Sequence, residues 1–160
     1  MLVFAVMTAL GISSSLRLKR RASLLEATVI LLEGIKMEME YTQCPLDEII
    51  CKYACVKPYS SINFIKECYH LLENGEDFPT AWSNSVKLSS LYMSQEKEKL
   101  LQLGMLLGTS DSTGQVNMLE MYIEYFKQFL QKARKKSDSY SGVSVYIGVF
   151  CGFGMFILLI

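Results

Sequence analysis

Four cysteines and the single histidine crowd the first half of the chain: Cys44, Cys51, Cys55, Cys68 and His70, with a fifth cysteine, Cys151, near the end. Thiolates and an imidazole are ligands for tetrahedral zinc, and Cys51 and Cys55 would share one face of a helix. The spacing lacks the Cys-x-x-Cys knuckle that structural zinc sites carry. Core-filling, reduced thiols are the expectation, because free cysteine packs like a small hydrophobe. A membrane-tethered metal-binding enzyme or sensor built on this Cys/His set is the alternative.

Other catalytic groupings are missing from the sequence. It has no Gly-x-x-x-x-Gly-Lys phosphate loop, no Gly-x-Ser-x-Gly elbow and no His-Glu-x-x-His pair. Glu38 and Glu40, like Glu96 and Glu98, stand two apart and face different sides of a helix, so they read as solvated charges rather than an acid/base dyad. The expectation is a protein without enzymatic activity, cofactor or small-molecule substrate.

The elements that hold these residues begin and end in apolar runs. Met1 to Leu16 and Val143 to Ile160 carry no charged side chain, and each has a basic cluster on its inner side: Arg17, Lys19, Arg20 and Arg21 after the first, Lys132, Arg134, Lys135 and Lys136 before the last. A bilayer core takes about 20 helical residues, and basic flanks stay on the cytoplasmic side. The mirror arrangement predicts two spans, with both termini across the membrane and the middle of the chain in the cytoplasm. Three parts are expected: 1–21, an N-terminal anchor with its basic stop; 22–131, a cytoplasmic helical bundle; and 132–160, a basic rim with a C-terminal transmembrane helix.

The 160 residues are formally neutral, but 22–131 holds 15 Asp and Glu against 8 Lys and Arg, near −7. An acidic body argues against nucleic acid, whose phosphates demand a basic surface. Leu24, Leu25, Val29, Leu31, Leu32, Ile35 and Met39 recur at helical spacing, predicting a long helix to about Gln43. Pro45 is expected at the first position of a second helix, before Pro58. A third is expected through Ile62–Leu72, stopped at Glu73-Asn74-Gly75, and a short fourth after Pro79 around Trp82. Ser94 reads as the N-cap of a fifth, and the last runs from Ser112 toward the C-terminal apolar run. No stretch alternates with period two, so the fold class is all-α: a bundle of about six helices whose first and last reach the membrane.

Trp82 is read as a core anchor whose indole N–H finds a backbone acceptor, and Tyr41 as a packing residue with a polar tip. Gly104 and Gly108 would bare a helix stripe for close approach of another backbone, unless Gly108 only ends the helix. Gly148 and Gly152 form a Gly-x-x-x-Gly face suited to helix packing in lipid.

The strings Glu38-Met39-x-Tyr41-x-x-Cys44-Pro45-Leu46, Thr80-Ala81-Trp82 and Leu103-Gly104-x-x-Leu107-Gly108-x-x-Asp111-x-x-x-Gln115 resemble those of the stage III sporulation protein AB family, a likeness running from about Leu24 to Ile160. The resemblance implies a bundle similar to one cytoplasmic repeat of the type II secretion system F proteins. It further implies partnership with a cytoplasmic secretion-type ATPase and ring-forming membrane subunits, in the mother-cell membrane around the forespore. Secretion F proteins usually carry two such repeats, so one repeat implies self-association or another subunit. Glu38, Tyr41, Asp111 and Gln115 carry over as fold-defining residues, none of them catalytic. Cys44 stands where the family often has Thr, a poorer cap by about 1 kcal/mol if the hydroxyl caps the helix opening at Pro45.

The function expected on this reading is a membrane platform with an acidic docking surface for the ATPase. A purely structural anchor that binds only its membrane neighbours is a further alternative.

Overall fold

The computed structural model describes residues 2–42, 44–56, 62–107 and 112–159, with side chains described between 16 and 139 except at 43, 57–61 and 108–113. Six helices and no strand occur among the described residues: α1 Leu2–Tyr41, α2 Leu46–Ala54, α3 Asn63–Glu73, α4 Phe78–Leu88, α5 Ser94–Leu106 and α6 Ser112–Leu159. The all-α expectation holds. The first and last helices, α1 and α6, are each continuous through their basic clusters, and only α2 to α5 are short.

The chain divides into two compact units, Leu24–Phe129 and a second made of Met1–Ser23 with Leu130–Ile160. All eight basic residues of the two clusters belong to the second unit. Among the described residues no helix is long and apolar enough to cross a membrane. Apart from exposed Leu16, the apolar runs of the predicted spans, with Gly148 and Gly152, lie outside the residues whose side chains are described.

Within Leu24–Phe129 the apolar stripe of α1 is buried as its spacing predicts: Leu25, Leu31, Leu32 and Ile35 are fully enclosed. Successive helices α2 and α3, α3 and α4, and α4 and α5 pack on one another. Phe64 of α3 and Trp82 of α4 meet edge to face at 5.2 Å, and Phe64 meets Tyr92 at 5.8 Å, giving the centre of the core. Tyr92, in the α4–α5 link, is buried and lies 2.7 Å from the Thr28 hydroxyl of α1. Thr28 spends its one proton on the Leu24 carbonyl at 2.8 Å, so the Tyr92 hydroxyl donates to Thr28.

Helix ends follow local chemistry, with instructive shifts. Gly75, at φ +88°, closes α3: its N–H donates to Leu72 O at 3.0 Å and that of Glu76 to Leu71 O at 3.1 Å, the Schellman pattern. Asp77 caps α4 by accepting from Thr80 N–H at 3.2 Å and Thr80 Oγ1 at 3.1 Å. These bonds to Thr80 favour its ionised form and hold the carboxyl below its ordinary range.

Pro45 is not the first residue of α2. It occupies the N-cap with extended ψ 146°, because Leu46 already begins the helix and the Pro45 carbonyl accepts from Ile49 N–H at 3.2 Å. Cys44 therefore does not hold the capping position. Ser94 is likewise inside α5 rather than its cap. Met93 precedes it in extended conformation, and Glu96 reaches back to accept from Met93 N–H at 2.8 Å. That return bond draws Glu96 to 1% exposure, correcting its reading as a solvated charge.

Candidate functional site

The residues best equipped for chemistry do not gather into a centre. No cluster of three or more His, Cys, Asp or Glu able to hold a metal occurs among the described residues. Cys55 is exposed, Cys44 and Cys51 are half-buried, and Cys68 is buried. Burial pushes the Cys68 thiol up to about 12, against the lowering effect of its contact with Ser85. His70 stands on the exposed side of α3, its Nδ1 3.5 Å from a Glu73 carboxylate oxygen.

The motif residues serve several separate contacts. Trp82 is fully buried, and its indole N–H donates to Leu100 O of α5 at 2.7 Å. A Cβ built at Gly104 would lie 2.7 Å from Trp82 Cγ, so what the missing side chain admits is an indole rather than another helix backbone. Glu38 joins α1 to α2 by accepting from Lys52 Nζ, and this bond raises the Lys52 pKa. Gln115 is buried near the start of α6, while Leu46 is half-buried in the first turn of α2. Gly108 and Asp111 lie outside the described residues. In the basic clusters Arg17, Lys19, Arg20, Lys132, Arg134, Lys135 and Lys136 are exposed and Arg21 is half-buried.

Tyr41 departs most from expectation: it is 76% exposed rather than packed. It lies at one end of a groove of about 850 Å³ between α1 and α6, bordered by Glu33, Met37 and Glu40 on one helix and by Met121, Glu124 and Tyr125 on the other. The helices run antiparallel here, since Glu33 pairs with Lys127 at 2.8 Å while Lys36, one turn further along α1, pairs with Glu120 at 3.4 Å. Both groove lysines are thereby neutralised. The pairing with Glu33 raises the Lys127 pKa, with Glu124 and Glu120 adding to the field. Glu40 and Glu124 make no ion pair among the described residues, which leaves the groove net negative.

Met37, Tyr41 and Met121 are all exposed large apolar side chains along this acidic groove. The sequence reading missed it as a site. Met37–Tyr41 and Met121–Tyr125 each repeat at four-residue spacing, which was the available signal, but the two stripes lie some eighty positions apart. Such a surface has the composition of a docking groove rather than of a catalytic pocket: adaptable thioethers, amphipathic phenols and carboxylates, with no nucleophile and base in contact.

Comparison with curated proteins gives no significant match. A solved structure of a stage III sporulation protein AB superposes with a TM-score of 0.65 at 20% identity, over 74% of this chain and 97% of that one. At this identity the likeness establishes the shared helical fold. A family model of stage III sporulation protein AB matches residues 1–160, and the chain belongs to that family.

Proposed function

We propose that this sporulation protein is a non-enzymatic platform, held in the mother-cell membrane around the forespore by its two apolar ends and presenting Leu24–Phe129 to the cytoplasm. There it docks the secretion-type ATPase of a channel complex linking the two cells. The observation that carries the reading is the separation of charge. All eight residues of the two basic clusters fall in the unit that holds both apolar runs, while 22–131 is near −7. Basic flanks fix orientation at a bilayer, and an acidic body steers a basic partner. Gly148 and Gly152 suit packing against other membrane subunits or a second copy.

Cys55 reports the orientation, because it is the exposed thiol among the described residues. In protoplasts expressing the full chain, a maleimide that cannot cross lipid should leave Cys55 unlabelled until the membrane is permeabilised. Labelling of intact protoplasts at Cys55 overturns the cytoplasmic placement. For the docking half, the detergent-solubilised chain should retain the ATPase at low ionic strength and release it as salt rises past about 0.3 M, where screening is strong. Salt-independent retention would remove the electrostatic basis.

A further inference from the structure

We infer that the α1–α6 groove receives a basic amphipathic helix of the docked ATPase, an assignment that rests on the platform reading and gives it an address. The groove's shape argues for a helix. It is walled by two antiparallel helices over residues 33–41 and 117–128, stretches of about 12 and 16 Å at 1.5 Å per residue. That length matches two to three turns of a third helix laid between them. Met37, Tyr41 and Met121 are 59%, 76% and 47% exposed, three anchors for one apolar helix face, and methionine surfaces adapt to such faces.

Charge selects the occupant. Lys36 and Lys127 already pair with Glu120 and Glu33, so the groove offers a visiting chain uncommitted carboxylates at Glu40 and Glu124. Lys99 lies over the Tyr125 ring at 4.9 Å and covers one face of that phenol, leaving the thioethers and Tyr41 as the apolar contacts. A second copy of this body would bring another surface near −7 against the groove, and like charges facing each other cost affinity. An anionic membrane is disfavoured for the same reason. A segment with Lys or Arg flanking an apolar stripe satisfies both features of the groove.

The test uses the full chain in uncharged dodecyl maltoside micelles and the purified ATPase. With photoreactive benzoylphenylalanine replacing Met121, the crosslinked ATPase peptide should be rich in Lys and Arg, with apolar residues at three- and four-residue spacing. The Glu40→Lys, Glu124→Lys double variant should raise Kd by roughly tenfold or more at low ionic strength. A control reversal at exposed Glu48 and Glu67, which changes net charge equally, should raise it far less. The assignment falls if the control costs as much as the groove variant. It also falls if the crosslink joins two copies of this chain, lands on an acidic segment, or captures no ATPase peptide from a formed complex. In those cases ATPase binding to the parent chain leaves the platform reading standing. If the parent chain does not bind the ATPase, both fall together.

Discussion

Replacing Gly104 by Ala sets two effects of known sign against each other. Alanine favours a helix interior over glycine by about 1 kcal/mol, and Gly104 lies in α5. Against this, the new Cβ would stand 2.7 Å from both Cγ and Nε1 of Trp82, where carbon contacts settle at about 3.5–4.0 Å. Cδ1 of the indole is closer still to that Cβ, so the ring must retreat by about 1.5 Å or more, but Phe64 lies 5.2 Å and Phe78 5.5 Å from its ring centre. Retreat also stretches the 2.7 Å bond from Nε1 to Leu100 O.

Overpacking of a full core costs about 1–3 kcal/mol, and weakening a buried hydrogen bond adds about 1 kcal/mol. The propensity gain offsets only part of this, leaving a loss of about 2 kcal/mol. Trp82 is the only tryptophan in the sequence, so its fluorescence reports unfolding of the body alone. With an m-value of about 2 kcal/mol/M, the urea midpoint of the full chain in detergent should fall by about 1 M.

Gly34→Ala is the matched control. Its Cβ would lie 2.8 Å from Tyr53 Cζ, but the obstacle is the far end of a half-buried, rotatable side chain rather than a ring locked in the core. Its midpoint should hold or rise slightly. A Gly104→Ala midpoint at or above the parent value would refute the account of Trp82 packing.

Other consequences are open to simpler measurements. Asp77→Ala should lower stability at neutral pH by removing the cap of α4. Because the folded-state pKa of Asp77 is depressed, the parent's advantage is present above about pH 4, the unfolded value, and disappears as pH falls through the folded pKa. Urea titrations of both proteins from pH 7 to 2 should converge, and a constant gap would disprove the linkage. Iodoacetamide at pH 8 should modify exposed Cys55 rapidly and leave buried Cys68 intact until urea unfolds the body; modification of native Cys68, read by peptide mass, contradicts its placement. Since burial raises the folded Cys68 pKa to about 12, its share of stability is complete below the unfolded thiol value of about 8.5 and is lost as pH climbs from there toward 12. Lys127→Ala should change the unfolding midpoint little, because the Lys127 and Glu33 side chains are 47% and 45% exposed; a large drop would show a tighter α1–α6 clasp than the geometry allows.

What the sequence disclosed was mostly what repeats locally. The stripe from Leu24 to Met39 identified the buried face of α1, and Asn74-Gly75 marked the end of α3, because both signals operate within one or two turns. The start of α5 was misread by one residue: Ser94 has the better capping side chain, but the return bond from Glu96 places Met93 at the boundary. Glu96 looked like a solvated charge because nothing in its neighbours announces the packing that covers it. Trp82 and Gly104 were each singled out, but their contact spans two helices and only the fold reveals it. The groove was invisible for the same reason. Tyr41 has the chemistry of a packing residue, yet it ends α1 with its ring outside.

The hydroxyl pair of Thr28 and Tyr92 has a consequence for how tightly α1 is seated. Purely apolar helix faces tolerate sliding, because one branched side chain fills a gap about as well as another. A slip of α1 by a single residue would strand the Tyr92 hydroxyl in an oily interior, at about 1–3 kcal/mol, while Thr28 keeps its bond to the Leu24 carbonyl of its own helix. The pair thus works as a detent, admitting one axial setting of the helix. It also ties two distant positions together in any tolerated sequence change: Val at 28 is compatible with Phe at 92, whereas Val at 28 alone leaves the buried Tyr92 hydroxyl without its acceptor.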